Sequence, residues 1–178
     1  MKLIKNTIIS TILSLILSCC EIPNHTSPRY VKLSDEVLYQ TAQQLEKEKD
    51  LLAIGTGGQM MGDIQLARIS FQYFHLVNLE ESRELLTYAI QTFLKNINEN
   101  KKIRPYLHTY PFTTKNIEVT IWIYQADGKY PPQGNIQCLE LENGILKYEL
   151  LAPTKFADWP ILHEETYEEA LKILDENP

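Results

Sequence analysis

Asn143-Gly144 stands between two alternating runs, 138–142 and 145–150. Asn-Gly is the strongest two-residue hairpin signal, because both central residues of the matching turn need positive φ. The turn sets the register: Glu142 faces Ile145, Leu141 faces Leu146, Glu140 faces Lys147, Leu139 faces Tyr148 and Cys138 faces Glu149. One face then holds Leu139, Leu141, Leu146, Tyr148 and Leu150, and Glu140 meets Lys147 as an opposite-charge pair on the other. A one-residue slip would bury those charges, so turn and pattern demand the same pairing. Cys138 falls on the polar face beside Glu149. A chain with this hairpin builds an antiparallel sheet and must cover one face of it.

The covers are helices. Ser34 caps a helix over about 35–48, with Asp35 and Glu36 in its first turn and Val37, Leu38, Thr41 and Leu45 at helical spacing. Asn78 with Glu81 forms a capping pattern before a helix over 79–97, whose stripe is Leu86, Ile90, Phe93 and Ile97. A last helix over about 164–175 starts with Glu164, Glu165, Glu168 and Glu169, and its stripe is Tyr167, Ala170, Leu171 and Leu174.

Between them, 51–54 is a short apolar strand, and 55–62 is a glycine-rich loop that ends with Met60 and Met61 packed. Residues 64–77 alternate as a half-buried strand, with Ile64 and Leu66 out of phase, which predicts a bulge or a late start. Residues 117–124 are apolar on both parities, as in a central strand covered in part on both faces. The sum is an α+β fold, an antiparallel sheet of about four to five strands with helices packed mainly on one face. At 178 residues, 44% hydrophobic and 22% charged, the chain is a single ordered domain with no need of a metal or disulfide scaffold.

Residues 1–18 differ in kind. Lys2 and Lys5 precede an apolar run from Ile8 to Leu17 with no acid. That run is shorter than the ~20 residues of a stable transmembrane anchor and reads as a secretory signal peptide. Its end, Ile16-Leu17-Ser18-Cys19, resembles the lipobox of bacterial lipoprotein precursors. Leu17 is bulkier than the usual residue at its place. The resemblance implies cleavage before Cys19 and acylation of Cys19. Acylation at Cys20 instead would put Cys19 where a small residue is preferred, and an ordinary signal or uncleaved anchor would leave both cysteines incidental. Several acyl chains give stable anchoring where one does not. Residues 20–33 read as a tether of roughly 46–50 Å when extended, and 34–178 as the domain.

Removing residues 1–18 removes two lysines and no acid, so the net charge goes from −6 to −8. That balance argues against nucleic acid. It also leaves the acyl chains, not a basic surface, as the grip on the membrane.

No pattern fixes a reaction. The run Gly55-Thr-Gly-Gly-Gln-Met-Met-Gly62 has the wrong spacing for a dinucleotide fingerprint, lacks the Lys-Ser/Thr of a P-loop and precedes a strand. No histidine pair has metal spacing and no Gly-x-Ser-x-Gly occurs, so no cofactor or metal is expected. Cys138 beside Glu149 is a poor thiolate. His25 sits in the tether, His75 shares parity with Phe71 and Tyr73, and His163 precedes the last helix. Trp122 and Tyr124 form either an exposed platform or part of a covered face. The best recognition segment is 104–112, aromatic and proline-bounded, with Arg104, Tyr106, His108, Tyr110 and Phe112. Alternatively, Leu107 and Phe112 dock on the core.

The segments 49–64 and 102–112 resemble those of uncharacterised proteins from chlamydia-like and legionella-like intracellular bacteria, over roughly residues 40–175. The resemblance implies a shared fold and hands over no catalytic residue. The expectation is a cell-envelope lipoprotein, periplasmic or outer-membrane, acting as a binding or interaction module for a protein or small molecule through 104–112 or the exposed sheet face. The competing expectation is a small envelope hydrolase using His75 or His108 with a carboxylate. A fatty-acid probe should label the wild-type chain and not Cys19→Ala. A mutant that still labels would refute the site.

Overall fold

The computed structural model describes residues 27–152, 154 and 159–176. Residues 1–18, expected as a signal peptide, lie outside the described residues, as do Cys19, Cys20 and His25. In chain order the elements are α1 (Arg29–Lys49), β1 (Leu52–Met60), β2 (Ile64–Tyr73), α2 (Leu79–Glu99), a 3-10 turn at Arg104–Tyr106, β3 (Ile117–Ile123), β4 (Ile136–Glu142), β5 (Ile145–Leu150), β6 (Ile161–Thr166) and α3 (Tyr167–Glu176). The strands form one six-stranded sheet in sequence order. Every neighbouring pair is antiparallel except β2–β3, which is parallel and is joined through α2.

The fold is thus α+β, with α1 packed on β1 and β2, α2 on β3 and β4, and α3 on β6 and α2. Ile69, Phe71, Val119, Ile121, Leu139 and Tyr148 point from the sheet into this layer and are fully buried or nearly so. Val37, Leu45, Leu86, Ile90 and Phe93 meet them from the helices. Among the described residues, no helix is long and apolar enough to cross a membrane.

The hairpin has the register its sequence demands, pair for pair from Cys138↔Glu149 to Glu142↔Ile145. Asn143 and Gly144 have φ of 49° and 82°, the doubly positive geometry of the expected turn. The Asn78–Glu81 capping box is complete, each side chain bonding the other's backbone N–H at 2.9 Å. The out-of-phase start of β2 is a bulge: Leu66 pairs with Gln59 and Ile64 with Met60, leaving Gln65 over.

Three expectations need correction. First, the sheet has six strands because 161–166 adds one to those expected, and the glycine run 55–60 belongs to β1 and not to a loop. Only Gly58 there is required by close approach, since a Cβ would lie 2.2 Å from the Leu66 carbonyl oxygen. The turn follows at Gly62, with φ of 90°. Met60 is partly buried, but Met61 is 87% exposed.

Second, α1 begins at Arg29, so residues 29–33 of the expected tether are helical. Pro28 takes the cap position, and its carbonyl accepts from Val31 and Lys32. Burial of Leu33 and Ser34 outweighs the capping preference of Ser34.

Third, 161–166 is a strand and α3 starts at Tyr167. The helix start is set by a second box, in which the Thr166 N–H donates to Glu169 Oε2 at 2.8 Å and the Glu169 N–H to Thr166 Oγ1 at 3.2 Å. These hydrogen bonds hold the Glu169 carboxyl below its ordinary range.

The register carries a stability prediction. Glu140→Lys should cost about 0.2–1 kcal/mol in urea unfolding by facing Lys147. Leu139→Lys, which aims a charge into the core, should cost several times more. Equal effects would contradict the register.

Candidate functional site

The segment 104–112, expected to serve in recognition, is pinned from both sides. Leu107 makes a parallel bridge with Ile64, and the His108 N–H donates to the Ile64 carbonyl at 2.8 Å. The Asn98 side chain accepts from the Phe112 N–H at 2.8 Å and donates to its carbonyl at 2.9 Å. Phe112 is buried in the core and Tyr106 is half-buried against Tyr30. Arg104 donates to the Asn98 carbonyl at 3.1 Å and lies 4.4 Å over the ring of Tyr110, which is 51% exposed. Arg104, Tyr110 and His108 therefore make a surface strip, while Phe112 is its core anchor.

The histidines are dispersed. His108 Nδ1 lies 2.6 Å from Asp63 Oδ2, an exposed pair whose hydrogen bond lowers the Asp63 carboxyl. His75 is exposed at the end of β2, its ring 5.0 Å from that of Tyr73. His163 is on β6, with Nε2 3.5 Å from Glu165 Oε2. Among the described residues, no group of three or more His, Cys, Asp or Glu can hold a metal. Cys138 is a buried free thiol. Burial, and then Glu149 and Glu140, push it far up, so it stays protonated and is no nucleophile.

A concave site exists on the face of the sheet opposite the helices. Trp122 and Tyr124 stand on the outward parity of β3 and just beyond it. Tyr130 comes from the β3–β4 connection, and Leu151, Ala152, Thr154 and Trp159 from the β5–β6 connection. Together they line a cleft of about 690 Å³, within the range of small-molecule sites. The Trp122 and Trp159 rings meet edge-on at 5.7 Å, with an interplanar angle of 73°. Tyr124 stacks on Tyr130 at 5.7 Å and on Phe74 at 5.8 Å. Tyr130 is held by a tight turn in which Gln125 donates to the Lys129 carbonyl from its backbone and to the Tyr130 carbonyl from its side chain. Gly128, with φ of 80°, closes that turn.

Across the open face, Glu140 and Glu149 share the outward parity of β4 and β5 with Lys147 and Cys138. Trp122 pairs with Cys138, which pairs with Glu149. Burial raises the Glu140 carboxyl, with Lys147 opposing and Glu142 and Glu118 adding to it, and burial and then Glu140 raise the Glu149 carboxyl, with Lys147 opposing.

A buried network lies on the helix-covered side of the sheet. Arg83 on α2 donates from Nε to Glu165 Oε1 on β6 at 2.7 Å, and the Tyr148 hydroxyl donates to the same oxygen at 2.7 Å. The two charged side chains are 8% and 4% exposed. Burial and Glu165 push the Tyr148 phenol up, which keeps it a donor. The network seats β6, the strand that Trp159 leads into, and the Leu150 N–H bonds the Pro160 carbonyl at 2.8 Å.

Sequence reasoning placed Trp122 and Tyr124 but missed Tyr130, Trp159 and the Arg83–Glu165 pair. The signal was topological. β3 and β5 run the same way, so the connections that follow them share one end of the sheet. Seeing this required recognising β6 as a strand.

Comparison with protein families, with curated proteins and with solved structures gives no match.

Glu165→Gln should destabilise the fold by about 3–5 kcal/mol, because it leaves the Arg83 charge buried without its counter-ion. Tyr148→Phe should cost less, about 1.5–3 kcal/mol. Urea unfolding reads both, and an unchanged midpoint for Glu165→Gln would refute the buried pair.

Proposed function

We propose that the protein is a lipid-anchored binding module of the bacterial cell envelope, with the aromatic cleft as its ligand site. The observation that carries the reading is the convergence of Trp122, Tyr124, Tyr130 and Trp159, from three separate chain segments, on one concave surface. Tyr130 is exposed and Trp122, Tyr124 and Trp159 are partly so; a ligand that covers them recovers the solvation they cost. Gln125 on one side and Pro160 on the other tie the connections that carry Tyr130 and Trp159 to the sheet by hydrogen bonds.

The anchor rests on the lipobox-like Ile16-Leu17-Ser18-Cys19. With α1 starting at Arg29, the nine residues after Cys19 other than that helix span at most about 30 Å. The domain would therefore work close to the bilayer. Its acidic balance disfavours adhesion to anionic headgroups, which leaves the sheet face free for a ligand.

A hydrolase at His108 has less support. Its Asp63 partner fits a base-orienting role, but the side chains of the pair are 56% and 37% exposed, and water exclusion is what makes such dyads effective.

Ligand-observed NMR screening of small aromatic, glycosidic and ammonium compounds tests the reading. Hits should be abolished in Trp122→Ala and survive in His108→Ala. Hits that survive in Trp122→Ala and vanish in His108→Ala would overturn it.

A further inference from the structure

We infer that the free edge of β1, with the groove between it and α1, takes an extended basic peptide segment as an added strand. β1 is the first strand of the sheet, and among the described residues no strand pairs with its other side. Every second residue of such an edge turns its N–H and C=O away from the sheet, a template for another chain. Proteins commonly blunt such edges with charged residues or proline. β1, which reads Leu-Ala-Ile-Gly-Thr-Gly-Gly-Gln-Met, has neither. The opposite edge, β6, carries His163, Glu164 and Glu165. Register shifts at Ala53/Gly55 and Gln59/Met60 bound a regular stretch, 55–59, paired with β2. At Gly55 and Gly57 even an added Cβ would meet no atom within 4 Å. An incoming backbone can therefore close to the strand spacing of about 4.8 Å.

The groove selects the peptide. It holds about 450 Å³ and lies between one face of α1 and the first half of β1. Thr56 is on the helix-side parity, since it pairs with the buried Ile69. An added strand would thus send every second side chain toward α1. Midway along that helix face stand Tyr39, 62% exposed, and Ala42, which suit an apolar side chain. Asp35 and Glu46 stand at its two ends, both exposed and without an ion-pair partner among the described residues. The basic residues of α1, Arg29, Lys32, Lys47 and Lys49, do not line the groove. Residues 19–28, which lead into α1, contain no lysine or arginine, and every lining residue is a described one. Asp35 and Glu46 are about 16 Å apart along the helix. Positions i and i+4 of a strand are about 13 Å apart, and two lysine side chains span the difference. The fitting segment is therefore Lys-x-apolar-x-Lys. An acidic segment would meet both carboxylates instead.

The test follows the fluorescence anisotropy of a labelled, amidated peptide, Ser-Lys-Thr-Val-Thr-Lys-Ser, added to the full chain in a non-ionic detergent. It should bind saturably, and at least about tenfold more tightly than its counterpart with Glu in place of Lys. Two methylated peptides separate strand addition from side-chain contact alone, one methylated at the backbone nitrogens of Lys, Val and Lys, the other at those of the two Thr. One should lose binding and the other keep it, because only alternate N–H groups face β1. The double variant Asp35→Lys, Glu46→Lys, changed at two exposed positions, should reverse the preference between the Lys and Glu peptides. Equal binding of those two peptides, equal effects of the two methylation patterns, or an unreversed preference would overturn the inference. Absence of binding would overturn it too, and a chain that then sediments as a dimer would assign the edge to a second copy.

Discussion

The alternation of β3, β4 and β5, fixed by the Asn143-Gly144 turn, decides which surface of the molecule does what. Inward parity gives Leu139, Leu141, Leu146 and Tyr148 to the helices, all fully buried. Each such side chain is worth about 1.5–3 kcal/mol in burial, while a cross-strand charge pair such as Glu140–Lys147 is worth about 0.2–1 kcal/mol. Burial therefore selects the register, and the charge pair only agrees with it. The outward parity follows without further choice. Trp122, Cys138 and Glu149 fall in one row across the open face, and a one-residue slip of β4 would remove Glu149 from it.

The second constraint is electrostatic. Arg83 and Glu165 are charged and almost wholly buried. Such pairs add little net stability, since desolvation offsets their attraction, but losing one partner is costly. Here the pair ties an edge strand with exposed Ile161 and Leu162 to the central helix. Hydrophobic contact alone would hold β6 weakly. The Tyr148 hydroxyl joins the network to the hairpin.

Much of this was legible in the residues. The hairpin register, the Asn78–Glu81 cap, the bulge at the start of β2 and the two-sided β3 all follow from period and turn chemistry, which act over a few residues. What was not legible depends on partners distant in sequence. Glu165 looks like a helix-start acid until Arg83, 82 positions away, is brought to it. β1 looks like a loop because three of its residues are glycine, and only pairing with β2 makes it a strand. Trp159 and Tyr130 lie in connections without periodicity, and nothing local says that they meet. In the segment 104–112, by contrast, the prolines suggest an extended stretch where the structure has a 3-10 turn at Arg104–Tyr106, and local pattern does not distinguish Phe112, which faces the core, from Tyr110, which does not.

The proposed role joins these parts: a lipid anchor for location, a helix-backed sheet for rigidity and an aromatic cleft on the free face for a ligand. The most direct measurement is the pair of indole N–H resonances in the ¹⁵N spectrum during titration with a compound that binds in the screen of small aromatic, glycosidic and ammonium compounds. The account predicts that both move together, to saturation, while the backbone resonances of 104–112 stay fixed. Fixed indole resonances, with shifts confined to Arg104, His108 and Tyr110, would contradict it.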